Sequence, residues 1–250
     1  MDINSIKTGD TVLFSNNTPT GFLLRTAISS EWNHSGIIVR FKTNPEGHKV
    51  ISLTTEGEIY VLETNTGIRR DDIFSKDVIG AGFSRANWVF SKYNKISVRK
   101  INDIFRTPEL ATLTMKFAEI TQGHQFPKGS LPFLGVWLGI SLEEKNDTNT
   151  SKFCSELMCH YYKYCIGSQF SKIIGKDYDG KLSTLFGVGS PENENLFTPS
   201  HYTFEKSPNA PIFNGSEKTI QTSHADIIYV LLQPFLIIIV IMIIIYMTLP

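Results

Sequence analysis

Only three cysteines occur in the 250 residues, and none of them forms a Cys-x-x-Cys pair. That scarcity argues against a disulfide framework and against a structural zinc site, since Cys159-His160 alone is too little to hold a metal. No charge of one sign dominates either: Lys plus Arg and Asp plus Glu number 24 each, without a basic tract. Nothing in that balance points to a nucleic-acid partner. The N-terminus, Met1-Asp2-Ile3-Asn4-Ser5, lacks the basic segment and apolar run of a secretory signal peptide. No internal repeat is visible, and neither a cofactor nor a metal is expected.

What the chain does have is an uncharged apolar run at residues 227–250, dense in Ile, Leu, Val, Phe and Met. It is long enough to span a bilayer as a helix. Gln233 and Pro234 lie inside it, and membrane helices tolerate such a proline when neighbouring groups satisfy the freed carbonyl. With no signal peptide ahead, the expected topology is a single-pass tail anchor with the body facing the cytosol. Residues 205–226, mostly polar and carrying Pro208 and Pro211, read as a linker, which leaves residues 1–204 for one globular domain. Asn33-His34-Ser35 is a glycosylation triplet, but a glycan beside a working histidine would block it, which favours a non-luminal body.

Within that domain, Thr11-Val12-Leu13-Phe14 predicts a short strand after Gly9-Asp10, and residues 21–30 a short helix. β-branched and aromatic runs at 37–41, 50–53 and 59–63, separated by Asn-Pro-Glu-Gly and Glu-Gly turns, predict an antiparallel meander. Val78-Ile79, Asn87-Trp88-Val89-Phe90 and Ile96-Ser97-Val98 are further strand candidates. Thr107-Pro108 opens a helix whose Leu110, Leu113, Phe117 and Ile120 form one stripe before Gly123. Strands and helices are partly segregated, an α+β pattern with an antiparallel sheet packed against helices. Residues 126–142 are rich in Gly, Pro and large apolar side chains, and 143–150 form a polar loop leading to the next helix.

That helix carries Cys154, Leu157, Met158, Tyr161 and Cys165 on one face, with Ser151 available as a cap and Gly167 just past the end. Cys154 therefore falls in the first turn, where unpaired N–H groups and the positive end of the helix dipole favour a thiolate. The same stripe also suits a small apolar core residue, the reading that fits Cys165. Cys159 lies off the stripe without an assigned role. Far upstream, His34 sits in Trp32-Asn33-His34-Ser35-Gly36 ahead of an apolar strand-like run. A thiol hydrolase needs a thiolate, an imidazole and a polar group to orient the ring, and these need only meet in space. Glu63, Glu58 and Glu56 all have the chemistry for the third role. His48, His124, His160, His201 and His224 have no comparable context. Glu156 reads as a carboxylate favoured by the helix N-terminus.

Thr8-Gly9-Asp10, Trp32-Asn33-His34-Ser35-Gly36-Ile37, Tyr60-Val61-Leu62-Glu63, Phe153-Cys154-Ser155-Glu156-Leu157 and Thr198-Pro199-Ser200 occur in that order. Together they resemble the circularly permuted branch of the NlpC/P60 papain-like superfamily, especially the YiiX-like hydrolases and their large-DNA-virus relatives. The resemblance covers roughly residues 8–204. It implies a permuted papain-like fold in which Cys154 is the nucleophile, His34 the general base and acid, and Glu63 the residue that orients the imidazole. The backbone N–H of Cys154 is then a natural oxyanion donor. The implied activity is that of a membrane-anchored cysteine peptidase or amidase working through an acyl-enzyme, on a virion or host membrane. Two alternatives stay open: lipid acyl transfer or phospholipase chemistry, and a non-enzymatic membrane-bound interaction module. Against the lipid reading, Phe-Cys-Ser-Glu-Leu replaces the Asn-Cys-Glu-His context of the lipid-acting relatives. Peptide, amide and lipid-acyl groups are the substrates these readings imply.

Overall fold

A computed structural model describes residues 2–28, 30–125, 153–187, 190–191, 197–203 and 205–221. The apolar run at 227–250, the loop at 126–150 and Ser151 lie outside the described residues. Among the described residues no helix is long and apolar enough to cross a membrane.

Among the described residues, seven strands form one antiparallel sheet: β1 (Thr11–Ser15), β2 (His34–Thr43), β3 (Lys49–Ser52), β4 (Glu58–Asp71), β5 (Lys76–Arg85), β6 (Lys95–Arg99) and β7 (Lys218–Gln221). Their order is β5-β4-β2-β1-β6-β7, with β3 pairing on β2. The molecule is thus α+β with an antiparallel sheet and helices. Side-chain alternation sorts each strand's residues between two cores. Leu13, Ile37, Val39, Leu62 and Phe83 join the larger core, whereas Val12, Phe14, Ile38, Val61, Ile96 and Val98 join the smaller one.

The larger core is closed by α3 (Pro108–Thr121), α4 (Cys154–Tyr162), α5 (Ser168–Ile174) and α6 (Leu182–Phe186). The described residues also include two further helices, α1 (Pro19–Ala27) near the start of the chain and α2 (Ala86–Phe90) after β5. Helix α2 occupies the run expected as the strand Asn87-Trp88-Val89-Phe90. Ala86, Val89 and Phe90 are buried at helical spacing while Trp88 stays 41% exposed, a period that so short an apolar run does not specify.

Helix α3 also rotates its buried face away from the expected stripe: Ile120 is 62% exposed, and Thr114 and Thr121 are buried instead. Both threonines satisfy their hydroxyls on the carbonyl four residues back, and Thr114 Oγ1 also bonds Tyr161 at 2.9 Å. Burial of these polar side chains therefore leaves no donor stranded.

Gly167 does not end the cysteine helix. The chain passes from α4 through a π-helical turn, Lys163–Gly167, directly into α5, which stops at Gly175 in the left-handed conformation. A Cβ on Gly167 would lie 2.6 Å from the Tyr178 ring, so this glycine serves close packing rather than termination. Residues 205–221, expected as linker, are tied to the domain. Ala210, Ile212 and Phe213 enter the larger core, and β7 pairs with β6. Arg99 binds this segment through the carbonyls of Ser207 and Gly215, and the turn just before it through those of Tyr202 and Thr203, while its guanidinium lies over the Phe213 ring. Apolar residues spaced among turn-formers supply that anchorage, which mean polarity conceals.

Candidate functional site

His34 is the first residue of β2 and lies opposite Phe14 of β1. Its imidazole joins a three-ring cluster with Phe14 and Tyr93, whose centroids lie 5.5 and 5.7 Å from it and 4.6 Å from each other. These two flat neighbours fix the plane of the ring, leaving its edges for polar partners. On one edge, His34 Nε2 is 2.6 Å from Glu63 Oε2. Glu63, only 1% exposed, takes a second hydrogen bond from Ser84 Oγ at 2.7 Å on its other oxygen. Glu56 and Glu58 are exposed, and Glu58 is engaged by Lys49, so among the three candidate glutamates it is Glu63 that meets His34.

Backbone register explains that choice. Ile37 pairs with Leu62 across β2 and β4, and the missing Cβ of Gly36 leaves room beside Glu63. A Cβ there would stand 2.5 Å from Val61 Cγ1 and 3.0 Å from the Leu62 carbonyl oxygen. Gly36→Ala is accordingly expected to lower stability by about 1 to 3 kcal/mol, the usual cost of overpacking. A denaturant melt checks it; an unchanged midpoint would show that β2 and β4 can spread without penalty.

Cys154 opens α4, with Phe153 in extended conformation at the N-cap and Phe153 N–H donating to Glu156 Oε2 at 3.4 Å. Glu156 thus occupies the N-terminal position expected of it. Leu157, Met158, Tyr161 and Cys165 of the stripe are buried, but so is Cys159, because the helix is enclosed on nearly every side. The thiol of Cys154 is buried and close enough to His34 for the two groups to shift each other's titration. With Nε2 committed to Glu63, Nδ1 is the ring nitrogen left for the sulfur.

Electrostatics couple the three groups. Burial by itself would lower the His34 pKa, yet the charge of Cys154, its hydrogen bond and then Glu63 outweigh it and raise the imidazole to about 10. Burial would raise the Cys154 thiol, but the His34 charge and hydrogen bond, aided by the Ser35 main-chain N–H, bring it below the ordinary thiol value. Glu63 is likewise held below its usual range, with His34 and Arg69 opposing the effect of burial. The arrangement favours a thiolate facing an imidazolium, the charge state that makes a cysteine nucleophilic at neutral pH. Cys165 contrasts with it: burial pushes its thiol well upward without a compensating cation.

Phe14, Tyr93, Ser84 and Arg69 contribute to the site without having been singled out in the sequence. Ser84 is opposite Val61 in the β4–β5 register, so its alternation on β5 was the available signal. Tyr93 lies just after the segment whose helical period was hidden. Thr198-Pro199-Ser200 forms a 3-10 turn in which Thr198 N–H donates to His201 Nδ1, and Ser155 Oγ donates to the Phe197 carbonyl at 2.6 Å. Tyr202 OH donates to the Ser155 carbonyl, so this turn buttresses the start of α4. Among the described residues no group of three or more His, Cys, Asp or Glu side chains could hold a metal ion.

No family model matches the chain, and no curated protein does. Among solved structures, the chain is similar to the metalloprotein yiiX from Escherichia coli O157:H7, with 13% identity and a TM-score of 0.46, over 88% of this chain and 98% of that one.

Proposed function

We propose that the protein is a cysteine hydrolase of the peptidase or amidase type, with Cys154 as nucleophile, His34 as proton carrier and Glu63 as the residue that orients and charges His34. The observation that carries this reading is the Glu63–His34–Cys154 chain, closed by a 2.6 Å carboxylate–imidazole bond and seated at a helix N-terminus. The ordered motifs that resemble permuted papain-like enzymes support it independently.

In this mechanism the Cys154 thiolate attacks the carbonyl carbon of an amide, forming a C–S bond and placing negative charge on the carbonyl oxygen. The Cys154 N–H at the start of α4 is a donor for that oxyanion. His34 passes its Nδ1 proton to the leaving amine as the C–N bond breaks, leaving a thioester. Neutral His34 then takes a proton from water as the hydroxide oxygen attacks the thioester. The C–S bond breaks, the thiolate returns, and an acid is released. Glu63 stabilises the imidazolium in each half-reaction.

Cys154→Ala is expected to abolish turnover across a panel of amide, thioester and ester substrates, and to remove labelling by an electrophilic acyl probe. Retained turnover in that variant would exclude the assignment. The apolar run at 227–250 favours a second reading, acyl release from bilayer lipids. Labelled phospholipid separates the two: Cys154-dependent release of fatty acid would identify the lipid activity.

A further inference from the structure

Glu63 meets His34 through Oε2, and nothing in a glutamate by itself fixes the plane in which it does so. The last torsion of this side chain is broad and roughly two-fold, so a single hydrogen bond leaves the carboxylate free to turn. A second bond, on the other oxygen, removes that freedom. Ser84 Oγ supplies it by donating to Oε1 at 2.7 Å, and among the described residues it is the one side chain that hydrogen-bonds this oxygen.

Strand register brings a serine from outside every sequence motif to that place. Gly82 of β5 pairs with Glu63 of β4 and Ser84 pairs with Val61, so Ser84 lies diagonally across from Glu63 on the same face of the sheet. Gly82 puts no side chain between them. Both partners are enclosed, with Ser84 2% and Glu63 1% exposed. Arg69 does not take over the orienting role. Its Nη2 donates to the carbonyls of Glu63 and Gly82, both at 3.1 Å, and it makes no hydrogen bond to the carboxylate, so it favours the charge without fixing the plane.

We infer that Ser84 is a positioning residue of this site, the hydroxyl that sets the plane of the Glu63 carboxylate and keeps Oε2 aimed at His34 Nε2. The consequence for catalysis rests on the hydrolase reading; the positioning itself rests on the geometry. A hydroxyl donating to a carboxylate also stabilises its charge, which keeps the proton of the Glu63–His34 bond on the imidazole. Without that hydroxyl, Oε1 would be buried and unmatched, a state relieved by turning the carboxylate or by protonating it. Either change withdraws support from the His34 cation.

The test is titration of His34 by NMR on the full chain in non-ionic detergent, with isotope-labelled histidine and His34→Gln to assign its signal among the six histidines. Cys154 and Glu63 are the charges that raise His34, Tyr93 lies beside its ring, and Arg69 and Lys92 act with Glu63. All of these stay in place in the Ser84 variants. In Ser84→Ala the proton affinity of His34 should fall about tenfold or more. Ser84→Cys, close in size but a weak donor, should show the same loss and stands in if circular dichroism finds the alanine variant unfolded. Ser84→Thr keeps the donor in a residue suited to a strand and should titrate like wild type. An affinity that is unchanged or higher in the alanine and cysteine variants would overturn the inference, because a hydroxyl that only spreads the carboxylate charge gives a rise when removed. A loss in Ser84→Thr equal to that in Ser84→Ala would overturn it as well. Hydrolysis of p-nitrophenyl acetate, followed alongside, should lose about tenfold in kcat at unchanged KM in Ser84→Ala and keep its rate in Ser84→Thr. Ester hydrolysis that persists in Cys154→Ala would remove the hydrolase reading, while the titration would still decide the role of Ser84.

Discussion

Replacing His34 with alanine should reduce alkylation of Cys154 by iodoacetamide at pH 7 by about tenfold to a hundredfold. Two opposing effects set that range. In the intact site the thiol is lowered chiefly by the charge and hydrogen bond of His34, working against burial. Without the imidazole, burial is left to push the group above its ordinary value of 9.0, so the thiolate fraction at pH 7 falls below about 1%. A more basic thiolate is intrinsically more nucleophilic, which returns part of the loss. The wild-type rate should hold level through neutral pH, whereas the variant's should climb only on the alkaline side. Peptide-resolved mass spectrometry isolates Cys154 from the fully buried Cys159 and Cys165. A superimposable pH profile would show that the imidazole does not control the thiol, leaving only a buried cysteine.

The same coupling sets a stability window. His34 is raised to about 10, so its contribution is fully present below its unfolded value near 6.5 and is lost as pH climbs through 10. Cys154 is lowered, so its contribution is complete above 9.0 and is lost as pH falls through its depressed folded value. In the neutral range folding adds a proton to one group and takes one from the other. The dyad therefore imposes little pH dependence there, and the native charge state persists across it.

Local pattern carried much of this architecture. The runs that became β1, β2, β3 and β6 were legible because alternating or β-branched residues were bounded by Gly, Pro or Asn, and Cys154 announced itself through its place in a helix stripe. What the pattern missed depended on partners far away in the chain. The length of β4 beyond Glu63 comes from pairing with β5, in a hairpin tied by Asp71, whose carboxylate accepts from the N–H groups of Ile73, Phe74 and Phe83. The rings that cluster with His34 come from β1 and from Tyr93, and no spacing rule joins residues 14, 34 and 93. The choice of Glu63 over its two neighbours likewise needed the β2–β4 register, which places it beside Gly36.

Loss of the Arg106 guanidinium should cost about 3 to 5 kcal/mol at pH 7, the range for breaking a buried ion pair from one side. Its partner is Asp10 of Thr8-Gly9-Asp10, a motif whose place before a strand gives no sign of an ion pair. Asp10 is fully buried, and its carboxylate accepts from the Lys7 N–H at 2.9 Å, the Ile101 N–H at 3.0 Å and Arg106 Nη2. One side chain thereby pins β1 to the segment that follows β6, while Arg106 also donates to the Thr8 and Ile101 carbonyls. Burial raises the Asp10 pKa, with Arg106 as the chief opposing charge. A carboxyl with a raised folded pKa favours folding more as pH falls from neutral toward its unfolded value near 3.8. Arg106→Ala removes the opposing cation and widens that interval, so the variant should regain part of its lost stability between pH 7 and pH 5. Urea melts at the two pH values give both quantities. A variant as stable as wild type at pH 7, or one whose deficit is the same at both, would mean that Asp10 is held by its two main-chain donors alone and that the ion pair is incidental to the fold.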